Sequence, residues 1–75
     1  MQKKRPTDKW LRATGENIRR ERKAAGFTQE KLAELADLAP RVVQKIEAGQ
    51  ITILISTLRR LRKAMGCSYE KLLKE

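Results

Sequence analysis

The sequence predicts an all-α domain of five short helices. Apolar residues recur three and four positions apart, as in Leu32/Ala36, Val43/Ile46 and Leu58/Leu61/Met65, which is helical rather than strand spacing. Helix starters (Thr28, Pro40, Ser68) and stoppers (Gly26, Gly49, Gly66) divide the chain at short intervals. The 75 residues include one Trp, one Tyr and one Phe, so the core must be built mainly from Leu, Ile, Val and Ala. A chain of this length forms one domain, near the lower limit for folding without staples.

Residues 1–6 read as a basic tail carrying Lys3, Lys4 and Arg5, with the domain spanning 7–75. Thr7 or Asp8 can cap a first helix over about 8–25, with Leu11, Thr14 or Gly15, Ile18 and Ala25 along one face. Gly15 is the weak point of that helix, since glycine disfavours a helix interior. Trp10 is expected at the domain edge, anchoring the extra N-terminal turn. The outer face is basic (Arg12, Arg19, Arg20, Lys23), partly balanced by Glu16 and Glu21. Gly26 closes the helix as a left-handed cap and Phe27 enters the core.

Thr28 caps the second helix, 29–36, which turns Leu32 and Ala36 inward and keeps a small Ala33 where the next helix must cross. Asp37, Leu38 and Ala39 form the break, and Asp37 tolerates a left-handed backbone better than most residues. Ala39 offers no side-chain cap, a loss of about 1 kcal/mol. Pro40 offsets part of it at a first helical position, where its missing N–H costs nothing. The third helix, 40–48, puts Val43 and Ile46 inward and offers Arg41, Gln44 and Lys45 to solvent; Gly49 ends it.

Ile51, Ile53, Leu54 and Ile55 then place four apolar residues within five positions. Some must cover the core. The excess, together with Tyr69, reads as a partner surface, most simply for a second copy of the chain. The fourth helix, 57–65, starts near Ser56 or Thr57 and is covered by Arg59, Arg60, Arg62 and Lys63. Ser68 caps a last helix, 69–74, that returns Leu72 and Leu73 to the core and leaves Tyr69 outside. Cys67 reads as a small core residue.

Charge narrows the function. Eighteen basic against nine acidic residues give a net charge of +9 and a pI near 10.3, which favours a polyanionic partner such as nucleic acid. One cysteine and no histidine cannot supply a Cys/His zinc site or an internal disulfide, so no metal is expected. The chain has no plausible nucleophile–base pair and no glycine-rich phosphate loop, so neither an enzyme nor a cofactor is expected. No apolar run approaches the roughly 20 residues of a membrane span and no signal segment is present, so a cytoplasmic location is expected. Two short helices joined by a tight turn, the second with a polar tip, make a layout suited to reading DNA.

The order and spacing of Thr28-Gln29-x-x-Leu32-Ala33, the turn, and Val43-x-x-Ile46-Glu47-x-Gly49 resemble the lambda-repressor/Cro-like (XRE-type) helix-turn-helix family, over about residues 15–73. The resemblance implies a five-helix lambda-repressor-like domain with helices 2 and 3 as the motif. It also implies a bacterial or phage-encoded, sequence-specific regulator of transcription that binds double-stranded DNA as a homodimer on a palindromic operator. Phage Cro-type proteins and the controller proteins of restriction–modification systems are regulators of this minimal kind. By the same resemblance Arg41, Gln44 and Lys45 read bases, with Pro40 in van der Waals contact. Gln29 and Thr28 hold phosphate, and Arg22 pairs with Glu47 to orient the third helix. The family has polar, often basic residues in the loop after helix 3; this chain does not, so Arg59 and Arg60 are expected to supply that phosphate contact. Asp37, Ala39 and Arg62 replace the family's usual Gly, Ser or Thr, and small residue. The N-terminal tail reads as a solvated end or as an arm against DNA. No small-molecule ligand and no membrane are expected as partners. The alternative is a protein-interaction module of the same fold, antitoxin-like or of the coactivator-adaptor type.

Overall fold

Helix α1 runs from Pro6 to Ala24. The computed structural model describes the backbone of residues 6–75 and the side chains of residues 9–75. The Lys3–Lys4–Arg5 arm and the cap expected at Thr7 or Asp8 therefore lie outside the described residues. The helix starts at Pro6, earlier than the tail expected over 1–6 allows, because proline fits a first helical position. It closes through Gly26 at φ 80°, whose N–H donates to the Lys23 carbonyl at 3.0 Å while that of Phe27 donates to Arg22 at 3.1 Å. Ala25, expected to face the core, falls past the last helical residue and is exposed.

Four more helices follow: α2 (Gln29–Ala36), α3 (Pro40–Glu47), α4 (Ile55–Met65) and α5 (Tyr69–Leu73), with no strand among the described residues. Local chemistry sets most of their ends. Thr28 Oγ1 accepts from the Lys31 N–H at 3.0 Å and Ser68 Oγ from the Lys71 N–H at 3.3 Å. Asp37 takes φ 58°, ψ 51°, and its N–H reaches back to the Glu34 carbonyl. Ala39 stands at the cap of α3 with no side-chain hydrogen bond, and Pro40 opens the helix. The α4 start departs from expectation. Leu54, not Ser56 or Thr57, holds the cap position, and no side chain caps the helix. Ile53 is anchored against the core, so the chain turns into α4 directly after it, and Thr57 is buried one turn in.

The core is Ile18, Leu32, Ala33, Ala36, Val43, Ile46, Leu61 and Leu72, one cluster drawn from all five helices. Phe27, Leu38, Leu58, Met65 and Cys67 pack around it. Gly15 does not interrupt α1. It is where α1 crosses the last turn of α3: a Cβ there would come within 2.4 Å of the Ile46 carbonyl oxygen and 2.9 Å of that of Glu47.

Helix α5 has only five residues, too few to hold itself. Side chains of α1 supply its end. Buried Asn17 donates from Nδ2 to the Leu72 carbonyl at 3.0 Å and the Lys74 carbonyl at 2.7 Å. Arg20 donates to Asn17 Oδ1 at 3.0 Å and to the Lys71 carbonyl at 3.3 Å. Leu72 reaches the core, but Leu73, expected to join it, is about half exposed; neighbours on a helix point about 100° apart, so one side chain faces in and the next does not. Arg62 fits where a small residue is usual because its guanidinium leaves the bundle, lying 4.7 Å from the centre of the Tyr69 ring and donating to the Cys67 carbonyl at 3.4 Å.

Candidate nucleic-acid interface

Helix α3 has two faces of opposite character. Val43, Ile46 and Glu47 are buried; Pro40, Arg41, Gln44, Lys45 and Ala48 are exposed. Burial of the first set fixes the rotation of the helix, so the second set must face water. Two cations and an amide, each long and able to donate hydrogen bonds, therefore stand on one side of an eight-residue helix. These groups suit the O6/N7 edge of guanine and the N6/N7 edge of adenine. Val42 is half-buried and packs against the core, which leaves it little reach toward a base.

The other end of the helix is held by a buried network around Glu47. Arg22 Nε donates to Glu47 Oε2 at 2.7 Å and Arg22 Nη2 to Oε1 at 3.1 Å, a two-pronged pair. Arg22 Nη1 donates to the Phe27 carbonyl at 2.8 Å, and Gln29 Nε2 donates to Glu47 Oε1 at 3.0 Å. One carboxylate thus ties α1, the residue before the Thr28 cap, and the start of α2 to the last residue of α3. This sets the angle at which α3 is presented. Gln29 spends one amide hydrogen on this network and keeps its carbonyl and second hydrogen free. Thr28 is exposed and uses its oxygen as the α2 cap, leaving its hydroxyl hydrogen to donate elsewhere. Gln29, Thr28 and the open N–H groups at the start of α2 form one patch that suits a phosphate.

Arg59 and Arg60 are exposed on α4, but they do not cover the α3–α4 loop. Arg60 lies with Leu35, Ala36 and Asp37 across the groove between α2 and α4. On that side it cannot stand in for a cation in the loop.

The apolar surface differs from the expected stretch. Ile51 and Ile53 pack against the core and leave that surface, because a bundle this small needs them as its lid. Leu54 and Ile55 remain out, 68% and 77% exposed. Trp10 and Leu73, each about half exposed, add to them. Both line an apolar groove of about 150 Å³ with Leu11, Ile53 and Leu58, where the ends of α1, α4 and α5 meet. Tyr69 is mostly covered by Arg62 and exposes little more than a third of itself. Sequence spacing could not gather Trp10 and Leu73, which are far apart in the chain.

No group of three or more Cys, Asp or Glu side chains among the described residues is placed to hold a metal ion. No helix among them is long and apolar enough to cross a membrane.

A model of the helix-turn-helix family matches residues 18–72. Among solved structures, the chain is similar to the restriction-modification controller protein C.AhdI from Aeromonas hydrophila, at 31% identity over 83% of this chain and 94% of that one, with a TM-score of 0.79. It is similar to the clp gene regulator ClgR from C. glutamicum at 26% identity, over 85% and 82% of the two chains, with a TM-score of 0.82. It also resembles the hypothetical transcription factor NHTF from Neisseria at 28% identity, over 97% and 85%, with a TM-score of 0.79. No curated protein matches the sequence.

Proposed function

The chain belongs to the XRE-type helix-turn-helix family, and from that premise we propose that it is a DNA-binding transcriptional regulator that acts in the cytoplasm as a homodimer on a two-fold symmetric operator. The observation that carries this reading is the division of α3, with Val43, Ile46 and Glu47 buried and Arg41, Gln44 and Lys45 free on the opposite face. A major groove admits one helix and there alone shows a distinct pattern for each base pair. Arg41 or Lys45 reads guanine, Gln44 reads adenine, and Pro40 touches a thymine methyl. Gln29 and Thr28 fix register on a phosphate without reading sequence.

Dimerisation has its own support. Trp10, Leu54, Ile55 and Leu73 expose more large apolar surface than a chain of 75 residues carries without a use. A symmetric pair buries that face once on each copy and places two α3 helices about 34 Å apart, one turn of DNA. The same face would serve the alternative, an adaptor that binds another protein.

Selection of bound duplexes from a random pool, followed by fluorescence anisotropy, tests the reading. A selected duplex is expected to bind at least 100-fold more tightly than random duplex and to show a half-site repeat. Equal affinity for both refutes sequence-specific regulation. Light scattering on the free protein separates dimer from adaptor: a monomer at all concentrations, also monomeric on selected DNA, removes the homodimer.

A further inference from the structure

The DNA contact expected from the loop after α3 has no donor in that loop. Ala48 to Leu58 contain no charged residue, in a chain where 36% of residues are charged. Arg59 begins α4's exposed side and Arg60 faces α2. A helix lying in a major groove has a sugar–phosphate strand on each side. The Gln29 and Thr28 patch addresses one of them. The other, on the side where the chain leaves α3, would meet only Gln50 and apolar residues.

The tertiary structure brings a cation to that place from α1. Gly15 lets α1 cross directly on the last carbonyls of α3, and Gly49 lets it continue: a Cβ on Gly49 would come within 2.6 Å of Arg12 Cγ and 2.9 Å of Arg12 Cα. The stem of Arg12 therefore runs across the exit of the reading helix, and the residue is exposed. Its guanidinium makes no ion pair among the described residues, although Glu16 lies one turn along the same helix. From this juxtaposition we infer that Arg12 is a phosphate contact, holding the DNA strand beside the α3–α4 loop in place of a cation in the loop. The inference rests on α3 reading the major groove. It adds to that reading a second clamp from a different helix, so that α3 is held on the duplex from both sides. A guanidinium suits a phosphate because it donates two parallel hydrogen bonds.

The test compares Arg12→Gln, which keeps the stem over Gly49 and removes the charge, with Arg12→Lys, which keeps a charge. Lys71→Ala on α5 is the control for loss of charge elsewhere. Binding is followed by anisotropy from 50 to 300 mM NaCl on a selected duplex and on a random one. Loss of one phosphate contact lowers the slope of log K against log [salt] by about 0.9 and weakens binding about eight-fold near 0.1 M salt. Arg12→Gln is expected to show that loss on both duplexes alike, Arg12→Lys to retain most of the slope, and Lys71→Ala to change neither. An unchanged slope in Arg12→Gln overturns the inference. So does a loss confined to the selected duplex, which marks a base contact, or an equal loss in Lys71→Ala, which marks net charge alone. Failure of the wild-type protein to prefer any duplex is a separate result and overturns the DNA-reading role of α3 instead.

Discussion

Substitution of Gly15 by alanine should reverse the usual rule for glycine in a helix. In an open helix interior, Gly→Ala stabilises by about 0.8–1 kcal/mol, because glycine loses more backbone freedom on folding. At Gly15 the new Cβ would stand 2.4 Å from the Ile46 carbonyl oxygen, where ordinary contact begins near 3.4 Å. The two other close atoms, Glu47 O at 2.9 Å and Glu47 C at 3.1 Å, are also backbone, so no side chain can turn aside. Helices α1 and α3 must separate by roughly 1 Å at their crossing, and overpacking of this kind costs about 1–3 kcal/mol. The separation also stretches the Arg22–Glu47 bonds, since Glu47 is one of the residues pushed. We expect a net loss of about 2 kcal/mol against the helix-propensity gain, a fall in Tm on the order of 10 °C for a domain of this size. Thermal and urea unfolding followed by circular dichroism measures it. Gly26→Ala is the companion: it has φ 80° but nothing within 4 Å of a Cβ, so it should cost only the left-handed backbone, about 1 kcal/mol. A Gly15→Ala protein as stable as wild type, or more so, would show that the α1–α3 crossing is not close-packed.

Three other outcomes follow from the same structure. Arg22→Met leaves Glu47 buried without its partner and should cost about 3–5 kcal/mol, whereas Arg22→Met combined with Glu47→Leu should recover most of it; urea midpoints of the single and double variants decide this. Ala39→Ser supplies the missing cap of α3, at a residue already in the extended conformation a cap requires, and should raise stability by about 0.5–1 kcal/mol in the same assay. Burial, with a smaller contribution from Glu21, pushes the Cys67 thiol above its ordinary 9.0. The neutral form is the one favoured in the folded state, so its stabilisation is complete below that value and fades as pH rises past it. Unfolding of wild type should therefore weaken between pH 8 and 10 more than unfolding of Cys67→Ser; parallel pH profiles would remove the effect.

The reading of the chain from sequence succeeded where neighbours along the chain decide. The Thr28 and Ser68 caps, the left-handed turns at Gly26 and Asp37, the uncapped Ala39 and the Pro40 start depend on hydrogen bonds and backbone angles a few residues apart. The inward Val43 and Ile46 follow from spacing alone, and with them the outward Arg41, Gln44 and Lys45. Three features misled that reading because each turns on packing. Gly15 looked like a weakness in α1, and Ile51 and Ile53 looked like free surface until the core took them. Leu73 looked like core until Leu72 filled the space.

The sequence by itself determined the five helices, the motif at Thr28–Glu47 and the charge that favours a polyanion, since local hydrogen bonding and apolar spacing are written in residues that lie close together. Only the tertiary structure decided what lies beside that motif. It laid Arg12 over Gly49, drew Gln29 into the Glu47 network, fastened α5 through Asn17 and Arg20, and joined Trp10 to Leu73. Each of those contacts links residues well separated in the chain. No local preference encodes them; they exist because one small core must be filled by all five helices at once.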